Sequence, residues 1–218
     1  MKRIPSTILT ALAVLALASC AARKTNLLNP DDKAFSKRAP AHFYVLFETT
    51  KGNLTMEVTR DWAPYGVDRF YNLVRYAYFD NSPVWRIRKG TWAQFGVSGN
   101  PNISQAWRNK NIPDDPRKVE NIRGTVAFAF KDPNGRTTQV FINLTDNRAT
   151  HDQEPFVPFA KVVEGMQVAD AWYDGYGERA GGGIRAGKQD VIFERGNEYW
   201  KKNFPLLDYI IRARIVKK

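Results

Sequence analysis

Short segments in which apolar and polar residues alternate with a period of two recur along this chain, and few stretches carry a helical period. In 42–50, Phe43, Val45 and Phe47 share one face and Tyr44, Leu46 and Glu48 the other. Lys51-Gly52-Asn53 makes a turn, after which Leu54, Met56 and Val58 resume the alternation, so the pair reads as a β-hairpin. Further strands are predicted over 84–88, 92–97, 125–130, 138–144, 156–163 and 207–216. A helix is predicted to start at Ala63-Pro64, where Val67, Phe70, Leu73, Val74 and Ala77 recur at three and four residues, and to end near Tyr78. A second is expected over 165–172, and a short one over 197–203. Strands that do not alternate with helices argue against a parallel α/β sheet and for an antiparallel barrel or sandwich in one domain. The tract 98–121, rich in Asn, Asp and Pro and without a period, reads as a long loop.

The N-terminus reads as an export signal. Met1-Lys2-Arg3 is basic, Ile8–Leu17 is apolar but too short to span a bilayer, and Leu17-Ala18-Ser19-Cys20 follows. Leu-Ala-Ser-Cys resembles the lipobox of bacterial lipoproteins. That resemblance implies a signal peptide over 1–19, a lipidated Cys20 and a membrane anchor. Ala21 is not the Asp that commonly retains such proteins at the inner membrane, so the outer membrane, facing the periplasm, is favoured. Residues 20–40, polar with two prolines, read as a tether, and 41–218 as the folded domain. Loss of 1–19 removes Lys2 and Arg3 and no acid, taking the net charge from +11 to +9. In an exported protein this charge suits lipid head groups or acidic clients, or is simply a solvated face; nucleic acid is not an expected partner.

The usual catalytic signatures are absent. Gly96-Val97-Ser98-Gly99 is one residue short of a nucleophile elbow, and Gly175-Tyr176-Gly177 follows a helix where a dinucleotide fingerprint follows a strand. One Cys and two His, His42 and His151, are too few for a His/Cys zinc site, and His151 reads as a solvated loop residue. No metal or cofactor is expected. What remains is a surface. Arg86 lies mid-strand, Gln94 follows eight residues later, Ala127 and Ala129 leave room for a ligand, and Gln139 and Phe141 project together from a neighbouring strand. If these strands adjoin, they form a shallow apolar groove with a phenyl wall and an arginine at its edge.

These residues resemble the cyclophilin-type peptidyl-prolyl cis-trans isomerases. The likeness lies in Arg86 with Gln94, Gly124-Thr125-Val126-Ala127-Phe128-Ala129, Gln139-Val140-Phe141-Ile142 and the run from Phe156 to Met166, and it extends from Phe43 to Gly175. Residues 176–218 look like the C-terminal extension of a bacterial branch. The resemblance implies a mainly β fold, a closed eight-stranded antiparallel barrel capped by two α-helices, and rotation about Xaa–Pro bonds of proline-containing polypeptides by a monomer. It implies catalytic roles for Arg86, Gln94 and Phe141, and substrate contacts from Thr91, Trp92, Ala127, Ala129, Gln139 and Phe156. Thr91 departs from the family's usual aromatic, Phe156 from its usual His and Phe130 from a common Asn. The Trp associated with tight cyclosporin binding falls near Thr150 or His151. A shallower pocket, weaker activity and poor cyclosporin sensitivity are therefore expected. A peptide-binding module with little turnover, and a basic lipoprotein acting on head groups, are the competing readings.

Overall fold

The computed structural model describes residues 27–184 and 187–218; the expected signal segment and Cys20 lie outside the described residues. Among the described residues there are nine strands: β1 (His42–Thr49), β2 (Gly52–Thr59), β3 (Ser82–Pro83), β4 (Arg86–Arg88), β5 (Trp92–Phe95), β6 (Thr125–Phe128), β7 (Val140–Asn143), β8 (Pro158–Glu164) and β9 (Tyr209–Val216). The helices are α1 (Pro64–Arg75), α2 (Pro101–Trp107), α3 (Arg148–His151), α4 (Met166–Asp170) and α5 (Asp190–Asn203). The pairing is antiparallel throughout, in the order β3-β9-β1-β2-β8-β6-β7-β5-β4.

The expected closed eight-stranded barrel is corrected here to a curled half-barrel of nine strands. β3 and β4 form its two edges and do not pair with each other. They are nonetheless consecutive in the chain, parted only by Val84 and Trp85. Pro83 offers no N–H to a ladder, Val84 bonds to Asp208 O, and Trp85 turns into a separate apolar cluster. Of the predicted strand 84–88 only Arg86–Arg88 pairs as a strand, and Ser82–Pro83 just before it pairs with β9.

The inner face of the sheet and one face of α1 make the main core. β1 buries Phe43, Val45, Phe47 and Thr49, as its alternation requires, and α1 contributes Val67, Phe70, Leu73 and Val74. Phe70 meets Phe159 at 4.9 Å and Phe79 at 5.5 Å between ring centroids. Each such aromatic pair adds about 0.5–1.5 kcal/mol to the area buried. A smaller core gathers Trp85, Val97, Ala180, Ile192, Phe193, Trp200 and Leu207, most of them from the tract 176–208 between α4 and β9.

Two tracts are more ordered than their composition suggested. The 98–121 segment holds α2, where the Asn100 side chain accepts from Asn102 N at 3.0 Å and Pro101 takes the first turn. Seven residues are too few to display a period. Further along, Asp115 accepts from the N–H groups of Tyr65 and Gly66 at 3.0 and 2.8 Å, placing a carboxylate at the N-terminus of α1. Burial there holds its carboxyl above the ordinary carboxylate range. Residues 27–40, expected to be a tether, pack on the domain as far as they are described. Leu27 is buried and its carbonyl accepts from Trp107 Nε1 at 2.8 Å, Phe35 meets Tyr76 at a tilt and Trp107 edge-on, and Ala39 N bonds to Asp68. Isolated apolar residues in a polar tract show no pattern, yet Leu27, Phe35 and Ala39 find slots while Leu28 stays exposed.

Candidate active site

Register places one residue from each of four neighbouring strands in a single row. Arg86 on β4 faces Gln94 on β5, Gln94 faces Phe141 on β7, and Phe141 faces Ala127 on β6. Residues directly opposite one another share a face, so this row looks away from the core. Their sequence neighbours Ile87, Ala93, Ile142 and Val126 belong to the main core, as the period of two demands. Gln139, two residues before Phe141, shares the row's face, and Ala129 N bonds to its carbonyl at 2.9 Å.

The polar end is a directed chain of hydrogen bonds. Arg86 Nη1 donates to Gln94 Oε1 at 3.0 Å, Gln94 Nε2 donates to Gln139 Oε1 at 2.8 Å, and Gln139 Nε2 donates to Gln189 Oε1 at 3.1 Å. The direction has a cause. A guanidinium can only donate, so Gln94 must turn its oxygen toward it, which leaves the amide nitrogen for the next residue. The other edge of Arg86 is taken by Glu178, whose Oε2 accepts from Nε at 3.0 Å and also from Nη2. The ring of Trp92 lies 4.7 Å from the guanidinium carbon. The Arg86 side chain is 12% exposed.

The apolar end is an aromatic cluster. Phe141 meets Phe156 and His151 edge-on, each at 5.2 Å, and Phe130 meets Phe156 at 4.7 Å. Only 4% of Phe141 is exposed. His151, expected to be a solvated loop residue, is half-buried on α3 against these rings. Its Nδ1 lies 3.0 Å from Asn143 Oδ1, which also accepts from Asn147, so Nδ1 carries the hydrogen. Burial lowers the imidazole below its ordinary value, only partly opposed by Glu154 and Asp152. Beside Phe130, Arg136 is buried, which lowers its guanidinium too, and it pairs with Asp114.

A cavity of about 350 Å³ is lined by Arg86, Gln94, Ala129, Phe130 and Gln139, with Gln189 and Phe193 also on its wall. The structure thus brings together Arg86, Gln94, Trp92, Phe141, Ala127, Ala129, Gln139 and Phe156. Thr91 stands apart. Its hydroxyl bonds to Lys89 O at 3.4 Å and its carbonyl accepts from Leu144 N and Asn147 Nδ2, so Trp92 and not Thr91 supplies the side chain under the guanidinium. Sequence reasoning missed Glu178, Gln189 and Phe193. They lie beyond Gly175, where the resemblance ended, and no local pattern marks them.

Comparison with known proteins agrees with this geometry. The family profile described as cyclophilin type peptidyl-prolyl cis-trans isomerase/CLD matches residues 44–191. Peptidyl-prolyl cis-trans isomerase B of Escherichia coli (strain K12) is 30% identical over 158 residues, covering 69% of this chain and 96% of that protein. Peptidyl-prolyl cis-trans isomerase A of Dickeya dadantii (strain 3937) is 30% identical over 142 residues, 63% of this chain and 73% of that one. In fold, a cyclophilin type peptidyl-prolyl cis-trans isomerase of Cryptosporidium parvum superposes with a TM-score of 0.57 at 16% identity, over 81% of this chain and 99% of that one. A structure of a cyclophilin of the same description and organism, in the presence of the dipeptide Ala-Pro, gives 0.56 over 80% and 99%. The chain belongs to the cyclophilin-type peptidyl-prolyl cis-trans isomerases, enzymes that rotate the peptide bond preceding proline.

Proposed function

We propose that Arg86 is the catalytic group of this isomerase and that its substrates are exported polypeptides met in the cell envelope. Resonance sets the barrier to rotation about the bond at roughly 18–20 kcal/mol. In the rotating state resonance is lost, so the prolyl nitrogen becomes pyramidal and accepts a hydrogen bond. The Arg86 guanidinium, a donor with no acceptor of its own, donates either to that nitrogen or to the prolyl carbonyl. One charge-assisted hydrogen bond contributes about 1.5–3 kcal/mol, one to two decades of rate. The remainder comes from a dry apolar wall, Phe141 with Phe156, and from holding the flanking residues against Ala129 and Gln139. Gln94 acts by orienting Arg86, since both ends of its amide are committed to Arg86 and Gln139.

The observation that carries this reading is the row Arg86–Gln94–Phe141, with a donor and an aromatic wall on one face of adjoining strands. Exchange between cis and trans forms of a prolyl peptide, measured by NMR, tests it. Arg86→Ala is expected to lower kcat/KM by about 10- to 100-fold. Unchanged exchange would refute the role. A second reading, peptide binding with slow turnover, draws support from the near-complete covering of Phe141. It predicts tight peptide binding with exchange close to the uncatalysed rate in the parent protein.

The envelope assignment is supported by the basic, apolar, Leu-Ala-Ser-Cys succession over 1–20. Acyl chains on Cys20 give stable anchoring where a single one gives only marginal binding. Cys20→Ala is expected to move the protein from the membrane to the soluble fraction of a cell lysate. Retention of the variant on membranes would overturn the anchor.

A further inference from the structure

The hydrogen-bonded chain across the groove begins and ends on one tract of sequence. Glu178 holds Arg86 at one end, and Gln189 accepts from Gln139 at the other. The same tract is pinned on both sides of Arg86. Ile87 N donates to Gly177 O at 3.1 Å, and Gly181 lies so close on the Trp85 ring that any Cβ there would collide with it. Trp200 closes the clamp from behind, its Nε1 donating to Ala180 O at 2.9 Å. These fixed points hold the backbone that carries Glu178.

We propose that Glu178 is a positioning residue for the isomerase reaction, orienting the guanidinium of Arg86; the proposal rests on the catalytic reading of Arg86 above. A guanidinium has five N–H groups. Glu178 takes Nε and one on Nη2, and Gln94 takes one on Nη1. Two remain for a substrate. With its Nε edge on a carboxylate, one Nη on an amide and its face on Trp92, the planar group has little freedom to turn. Its remaining donors are therefore set before the substrate arrives. The ion pair is mostly buried, with side chains 12% and 22% exposed, so removing the carboxylate leaves a poorly solvated cation to find other acceptors.

A double-mutant cycle read by prolyl exchange tests this, with kcat and KM separated and the Arg86 Nε–H proton resonance followed. Glu178→Ala is expected to lower kcat roughly tenfold with KM little changed, and to shift or broaden the Nε–H signal. Glu178→Gln, which keeps an acceptor oxygen, is expected to stay within about threefold of the parent. On an Arg86→Ala background, Glu178→Ala should cost nothing further. Equal losses in both backgrounds would mean a merely structural role, and activity equal to or above the parent would mean that Glu178 does not position Arg86; either result overturns the proposal. Should Glu178→Ala not fold, Glu178→Asp, whose carboxylate falls short of the guanidinium, is expected to show the same kcat loss. If Arg86→Ala alone leaves exchange unchanged, the catalytic reading fails and this inference falls with it. If only the Glu178 variants are silent, the catalytic reading stands.

Discussion

The two ends of the groove are built in different ways. The apolar end, Phe130, Phe141, His151 and Phe156, comes from a short run of sequence spanning β7 and the turns around it. Its members meet through ring contacts, each worth about 0.5–1.5 kcal/mol and tolerant of small shifts. The polar end joins Arg86 to Glu178, 92 residues away, and Gln139 to Gln189, 50 away. Hydrogen bonds to a charged group are stronger, but their donors and acceptors must align within a few tenths of an ångström. An apolar wall needs only side chains of the right kind on one face. An oriented cation needs a second piece of chain held rigidly beside it, and here the smaller core around Trp85 and Trp200 does the holding.

The largest expected effect follows from that dependence. Trp200 is fully buried, so Trp200→Ala should destabilise by about 3–5 kcal/mol through the cavity it leaves. Hydrogen exchange should show the amides of 176–208 losing protection before those of β1 and β2. Loss of protection uniform across the molecule would break the division into two unequally supported ends.

A smaller effect probes the apolar end alone. The His151 imidazole titrates below its ordinary 6.5 in the folded protein because burial disfavours the cation. Above 6.5 both states are neutral and the stability is complete. As pH falls below 6.5 the unfolded chain takes up the proton first, so stability declines until the folded value is passed. The buried Asp115 works in the opposite sense. Its raised carboxyl favours the fold below its ordinary 3.8, a benefit lost as pH rises through the folded value. The melting temperature of the parent should therefore fall more than that of His151→Gln between pH 7 and the onset of carboxylate protonation. Parallel curves would show that burial of His151 contributes nothing to the pH dependence.

How far the molecule could be read in advance follows the same division. The hairpin β1–β2, the helix α1 and the shared face of Gln139 and Phe141 declare themselves through period, because a strand turns a side chain over every residue and a helix every hundred degrees. The first strand of the groove was legible only in part. Its residues alternate correctly, but the departure of Val84 and Trp85 from the ladder and the pairing of Ser82–Pro83 depend on β9, far along the chain. Thr91 and Trp92 were indistinguishable in sequence, and only the register of β5 selects Trp92 for the face of Arg86. His151 looked solvated among Thr150, Asp152 and Gln153 because nothing nearby in the chain reveals the two phenyl rings that cover it.

The sequence by itself determined the antiparallel class, the faces of the strands and the identity of the arginine, amides and phenylalanine that share one surface. Those properties are local, set by the geometry of consecutive residues. The tertiary structure alone decided that the ladder stays open at β3 and β4, that 27–40 packs on the domain, and that Glu178 and Gln189 complete the groove. Those depend on contacts between segments far apart along the chain, whose meeting is governed by the packing of a second core and carries no periodic trace.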